Sequence, residues 1–383
     1  MPRSCPAPLA ACAQGAWLAL AALCTERLDP AMDAFRLLGE RAAIAGLVRR
    51  GRVSAGRACR LLETADGMLA INLAREADRE LLPAWLQQSH VDDVALDWLL
   101  RERCRDELLA RARLLGLAAA PVVPPRACAG WFRAGRHGRS ERHGTKTPLV
   151  IDLSALWAGP LCAQLLSQCG ARVVKVESVA RPDGARFGPG EFFDLLNAGK
   201  ESVVLELRSA EGRGRLVQLL QRADIVIESS RPRALEQMGI RAADIVAGRP
   251  GMVWLAISGY GRDAPMRDWI AYGDDAGVAA GLSWLVGERG LDPVFCGDAI
   301  ADPLAGLHAA LLVIAAWRSG GGLLLDLALH DVAAWCIAVG AVAEDPAAAV
   351  QVEQPRARPR HAYAGPAGSD TARVMREFAV GRA

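Results

Sequence analysis

The feature that most constrains this chain is a change of rhythm at Leu149. From there, short apolar runs alternate with longer stretches of helical periodicity. LVIDL (149–153) is a run suited to a strand buried on both faces. Gly159-Pro160 opens a helix over Leu161–Cys169, because proline in a first helical turn forfeits no needed hydrogen bond, and Gly170 suits a left-handed C-cap. Strands are predicted at 172–177, 203–207, 225–228 and 252–257, with a helix over Ser209–Arg222 between two of them. This alternation calls for an α/β fold: a doubly wound, mostly parallel, Rossmann-like sheet domain. Ligands of such sheets sit beyond the carboxyl ends of the strands, so residues just after each strand carry the functional information.

The first 120 residues differ in texture. They are rich in Ala, Leu and Arg, with helical spacing in Phe35, Leu37, Leu38, Ile44 and Leu47 and again from Leu96 to Leu109. Between them RLLETADGMLAIN (60–72) reads as two short strands around an Ala65-Asp66-Gly67 turn. The chain therefore divides into a smaller α+β domain at 1–120, a basic Pro/Gly linker at 121–147, the sheet domain at 148–343 and a Pro/Ala/Arg-rich tail at 344–383. That tail is expected to be extended apart from a short helix over 370–378.

Composition narrows the partners. A net charge of +2 over 383 residues gives no electrostatic case for nucleic acid or an anionic membrane. The ten cysteines include no CxxC pair and the six histidines no HxxxH pair, so no metal site is expected; all ten cysteines read as reduced thiols of a cytoplasmic protein. The Ala/Leu-rich opening is broken by Gln14 and reads as a buried amphipathic helix, and the apolar run 304–317 is too short to span a bilayer. Asn197-Ala198-Gly199-Lys200 is not a P-loop, since Asp194 and Glu201 stand where that motif needs Gly and Ser/Thr. Ile257-Ser258-Gly259 lacks the first glycine of a nucleophile elbow, and no GxGxxG follows a strand.

Four blocks in order carry a resemblance: LVIDLSALWAGPLCAQLLSQCGARVVKVE, FFDLLNAGKESVVLEL, ADIVIESSRPRALEQMGI and FCGDAIADPLAGLHAALLVIAAW. Over residues 149–336 the chain resembles the family III CoA-transferases, the CaiB/BaiF group that includes formyl-CoA and carnitine CoA-transferases, with α-methylacyl-CoA racemases as cousins. RLLETADGMLAINLA and RDELLARARLLGLAAAPV resemble that family's smaller domain, here placed before the sheet domain, and GSDTARVMREFAVG resembles a family ending. The resemblance implies CoA transfer from an acyl-CoA to a small carboxylic acid, no permanently bound cofactor, and an interlocked homodimer. A racemase or a non-catalytic acyl-CoA-binding relative is the alternative.

Within the blocks, the resemblance makes Asp298 the nucleophile, with Gly297 before it allowing close approach of backbone and ligand. Asp298 capping the next helix is the alternative, although Asp302-Pro303 competes for that position. Asp274 stands near the place of the family's second carboxylate; it takes that role, or it caps the next helix together with Asp275. Tyr272 replaces the racemases' histidine. CoA is expected to meet the turn Leu156, Trp157 and Ala158, then Lys200, Ser229, Ser230 and Met238. Lys200 could equally be a surface lysine, and Met238 a helix core residue. Trp157, where formyl-CoA transferases carry glutamine, implies an apolar acyl pocket.

Overall fold

The computed structural model describes residues 5–24, 28, 33–144, 146–287, 289–340 and 354–379. Along the chain, α1 (Leu9–Leu23) and α2 (Ala34–Ala45) precede β1 (Cys59–Thr64) and β2 (Gly67–Asn72), then α3 (Arg105–Leu115), β3 (Ala118–Pro121) and β4 (Arg133–Arg136). The next units are β5 (Leu149–Asp152), α4 (Ala158–Gln168), β6 (Arg172–Ser178), α5 (Gly190–Asn197), β7 (Glu201–Leu205), α6 (Ala210–Arg222) and β8 (Ile225–Glu228). Then come β9 (Val253–Ser258), α7 (Gly273–Ala279), α8 (Ala301–Arg318), β10 (Leu323–Ala328), α9 (Leu329–Ala338) and α10 (Thr371–Ala379).

The strands form two sheets. β1, β2 and β3 make a small antiparallel sheet, and the large one runs β4-β10-β9-β8-β5-β6-β7. Among the described residues six of its strands are parallel and β4 alone is antiparallel, against β10. Side chains of a strand point alternately to opposite faces, and here both faces are buried. Val150, Val173, Ile225, Ile227, Val253 and Leu255 meet α1, α4 and α8, while Ile151, Val174, Val226 and Trp254 meet α6 and α10 on the other face. The expected doubly wound α/β fold is therefore present. Counting only the parallel strands in chain order, the arrangement is 3-2-1-4-5-6, so the order reverses between β5 and β8.

Most predicted elements fall where the pattern put them, and several details differ. β7 begins two residues earlier than the apolar run, because its first residue, Glu201, pairs with Arg172 of β6. The exposed linker of 121–147 contains β4, whose backbone completes the edge of the large sheet against β10. α1 and α2 do not pack with the small sheet but with α8 and α4, so the 1–120 stretch divides by packing near Gly46. Gly170 does adopt a left-handed φ of 91°, although the C-cap of α4 is Cys169. The ten cysteines are not all free thiols: Cys24, the C-cap of α1, is joined to Cys169, with Cα atoms 4.8 Å apart, because α1 lies across that helix layer. Among the described residues no helix is long and apolar enough to cross a membrane.

The tail is anchored. Arg358 is buried against Glu40 of α2 at 2.9 Å and donates to the carbonyl of Leu195, and Asp370 accepts from the Ser202 N–H of β7. Residues 341–353 lie outside the described residues.

Candidate active site

The turn after β5 is held from beneath by a buried charge network. Asp152, the last residue of β5, accepts from the Ser154 N–H at 3.0 Å and from its hydroxyl. Lys200 donates to Asp152 at 2.9 Å, to the Pro160 carbonyl at 2.9 Å and to Asn197 Oδ1 at 3.1 Å. Lys175 donates to the Ser154 carbonyl and pairs with Asp183 at 2.8 Å; Asp183 in turn accepts from the Leu156 N–H at 2.9 Å. Burial opposes the charge on Asp152, but Lys200 and Lys175 together overcome it and keep this carboxyl below its ordinary range. For Lys200, burial reinforced by the like charge of Lys175 outweighs the attraction of Asp152 and Asp183, and its pKa falls to about 8. Lys200 is therefore not a surface lysine and lines neither of the site's two cavities; its ammonium is buried beneath the turn, which Leu156 enters with a left-handed φ of 70°.

Above this network, at the β5/β8 reversal, lies a cleft of about 250 Å³ lined by Leu156, Ala158, Ser229 and Ser230 together with four arginines: Arg75, Arg181, Arg231 and Arg267. Ser229 Oγ accepts from the Ala155 N–H at 3.1 Å and ties the two strand ends together. Burial, reinforced by the like charges of Arg233, Arg75 and Arg181, depresses the pKa of Arg231. Such mutual repulsion is relieved by a polyanion. Met238 lies outside this lining and is half-buried against the core between the sheet and α6.

A second cavity, of about 370 Å³, shares Leu156, Tyr272 and Asp302 with the first. Its apolar wall is Trp157 and Phe192, whose rings meet edge to face at 5.1 Å. Asp298 sits beside it, only 3% exposed, on a loop where Gly297 and Ala299 both have positive φ, 68° and 43°. A non-glycine residue in this region stores strain, which persists where surrounding contacts impose it. The contacts are visible: Asp274 accepts from the Ala299 N–H at 2.9 Å, and Arg41 of α2 holds Asp298 with two bonds of 2.7 and 2.5 Å. Asp298 thus caps no helix. Asp302 does not cap α8 either, because that helix begins at Ala301 with Ile300 as its cap, and the Asp302 carboxylate accepts instead from the N–H of Gly273, the first residue of α7, at 3.1 Å.

The two adjacent aspartates have separated tasks. Asp275 accepts from the Tyr272 N–H at 3.0 Å at the start of α7 and from the Asn72 amide at 2.9 Å. Asp274 faces the Asp298 loop instead. Burial, then the charge of Asp298, raises Asp274 to about 6. Burial is also the leading reason that Asp302 and Asp275 rise to about 7.

Asp274, Leu156, Trp157 and Ala158 therefore converge with Ser229 and Ser230 on two adjoining cavities, Asp298 lies buried next to the lining residues Arg41 and Ala299 of the second, and Lys200 and Met238 line neither. The arginines Arg41, Arg75 and Arg181 escaped the sequence reading. Arg181 follows β6 and had the same positional signal as other residues beyond strand ends. Arg41 had none, being 257 positions from its partner.

The fold and its clefts define a doubly wound α/β protein with a basic cleft at the sheet's reversal point and an acidic cluster next to it. Residues 146–370 match CoA-transferase family III, and the chain belongs to that family. It is 33% identical over 218 residues to an acyl-CoA transferase of Fusarium pseudograminearum, covering 52% of this chain and 48% of that protein. Against a succinyl-CoA–D-citramalate CoA-transferase of Chloroflexus aurantiacus it is 32% identical over 193 residues, 48% of each chain. A crystal structure of a CaiB/BaiF family protein from Brucella suis matches with 29% identity and a TM-score of 0.46, over 51% of this chain and 55% of that one. The chain spans about half the length of the curated relatives it matches.

Proposed function

We propose that this chain is a CoA-transferase that moves CoA from an acyl-CoA to a free carboxylic acid, with Asp298 forming the covalent intermediate. The observation that carries the reading is the position of Asp298: a carboxylate on a strained turn beside an apolar cavity, next to a cleft of arginines suited to phosphates. The nucleotide end of CoA belongs in the arginine cleft at the β5/β8 reversal, and the acyl group beside Trp157 and Phe192. CoA and its acyl esters are substrates here, and small carboxylic acids the acceptors.

In the forward half-reaction an Asp298 oxygen attacks the thioester carbonyl carbon, and CoA leaves as the thiolate, giving a mixed anhydride. The thiolate then attacks the aspartyl carbonyl carbon, releasing the donor's carboxylate and leaving CoA as a thioester on Asp298. The acceptor acid reverses both steps, and no proton is consumed. Asp274 holds the Ala299 N–H and fixes the loop on which Asp298 is presented.

The test uses the full chain and succinyl-CoA, the donor named for several relatives, with a panel of acids. Hydroxylamine added after succinyl-CoA should convert Asp298 to its hydroxamate, located by mass spectrometry, and Asp298→Asn should abolish transfer while leaving acyl-CoA binding intact. Near-normal turnover by Asp298→Asn would end this reading. One observation favours a second: the proton retained by Asp274 near pH 6, beside the ion-paired Asp298, supplies the acid–base pair of an α-methylacyl-CoA racemase. Deuterium exchange at the α-carbon without any acceptor acid would select it.

A further inference from the structure

We propose that Arg41 is the residue that binds the acceptor's carboxylate, and that it does so by exchanging Asp298 for the acceptor once Asp298 carries CoA. The inference rests on the covalent role of Asp298 proposed above, and it assigns a ligand contact to a helix outside the family match at 146–370.

The geometry separates the two members of the ion pair. Asp298 is almost wholly buried, while the Arg41 side chain is 29% exposed and lines the apolar cavity with Trp157, Phe192 and Asp274. Its guanidinium lies 4.9 Å from the Trp157 ring centre, so one side of the planar group is covered by the indole. Arg41 is also fixed from behind. Glu40, its neighbour on α2, is buried against Arg358 of the tail, and Pro355 passes so close to Gly39 that an added Cβ would meet it at 3.3 Å. The helix is therefore clamped, and the guanidinium has a defined place at the cavity.

The electrostatics change during the reaction. Burial disfavours the Arg41 charge, but its bonds to Asp298, with help from the fields of Asp302 and Asp274, more than offset this in the resting site. When Asp298 becomes a thioester it loses its negative charge and one of the two oxygens that Arg41 holds, and the remaining carbonyl is a weaker, neutral acceptor. The neighbouring carboxyls Asp274 and Asp302 are committed to the Ala299 and Gly273 N–H groups. A half-buried guanidinium that loses its anion has an unmet demand for another, and the acceptor's carboxylate is the anion that arrives next. Bound bidentately to Arg41, it lies beside the aspartyl-CoA carbonyl. One of its oxygens attacks that carbon, the CoA thiolate leaves to give the mixed anhydride, and the thiolate attacks the acceptor's acyl carbon. The Asp298 carboxylate is regenerated and takes Arg41 back. Before Asp298 is charged with CoA, the same guanidinium is occupied, so the acid is admitted second.

Asp298→Asn imitates the uncharged state of that residue without any chemistry, and isothermal calorimetry on the full chain then reads Arg41 directly with acetate and succinate as probes. At least one of the two should bind Asp298→Asn about tenfold or more tightly than it binds wild type, and Asp298→Asn/Arg41→Gln should lose the gain. Asp298→Ala serves if the asparagine variant does not fold. Equal affinities for both probes in wild type and variant, or a gain that survives Arg41→Gln, would overturn the assignment. In steady-state assays Arg41→Gln should raise the acceptor's KM more than the donor's, while hydroxylamine still traps Asp298. Failure of wild type to form the trapped species would instead count against the covalent reading, independently of the carboxylate titration.

Discussion

Replacing Lys200 with methionine distinguishes a residue that supports the site from one that touches CoA. The ammonium is 1% exposed and its partner Asp152 is fully buried. Lys200→Met keeps the volume but leaves Asp152 without its bonded cation and the Pro160 carbonyl and Asn197 Oδ1 without that donor. Breaking a buried ion pair from one side costs about 3–5 kcal/mol, and the field of Lys175, which remains, argues for the lower end, about 3 kcal/mol. For a domain of this size that lowers the unfolding midpoint by roughly 6–12 °C. Thermal unfolding followed by circular dichroism at pH 7 measures it. Asp152→Asn/Lys200→Met, in which the charge is removed from both sides and Ser154 keeps an acceptor, should recover part of the loss. Kinetically, kcat should suffer with or before KM, because the turn that presents Leu156 and Trp157 loosens. An unchanged midpoint with a KM for acyl-CoA raised about tenfold would place the ammonium on the ligand and refute the reasoning.

Arg181→Ala and Arg231→Ala should each raise the KM for acyl-CoA with little change in kcat, an effect that shrinks with added salt; unchanged KM values would move the nucleotide out of the arginine cleft. Asp275 has its folded pKa raised from 3.8 to about 7, so the stability it contributes is full below pH 3.8 and is lost as the pH climbs through about 7. Asp275→Asn keeps an acceptor for Tyr272 and Asn72 but does not titrate, so urea unfolding should show it gaining on wild type between pH 5 and pH 8, by about 2.5 kcal/mol; a constant difference would refute this. We expect a homodimer, consistent with the exposed Leu18 and Phe35 on α1 and α2; light scattering that finds only the 40.7 kDa monomer at micromolar concentration would exclude it.

How much was legible in the sequence follows from the range of the forces involved. Strand and helix positions from Leu149 onward are set by local patterning, and the residues following a strand are placed at its carboxyl end by the chain itself. Trp157 and Ser229 could therefore be named as candidates before their surroundings were known, whereas Asp298, which follows no strand, was named only through the resemblance of its Gly-Asp block. The two faces of the sheet were readable in the same way, since consecutive apolar residues such as Leu149, Val150 and Ile151 of β5 require cover on both sides.

The tertiary structure decided what each charged residue does, because a charge takes its role from its nearest opposite charge and from burial, and neither is a local property. Lys200 carries the same residue type as a surface or phosphate-binding lysine, yet folding puts it under the turn against Asp152, 48 positions away. Asp274 and Asp275 are neighbours in sequence, but the first turn of α7 points one at Asn72 and the other at the Asp298 loop. Arg41 reaches Asp298 only because α2 packs on the helix layer of the large sheet and the tail clamps it there through Glu40 and Arg358. The sequence by itself determined the sheet and the address of its cleft; the packing of distant segments determined which side chains answer at that address.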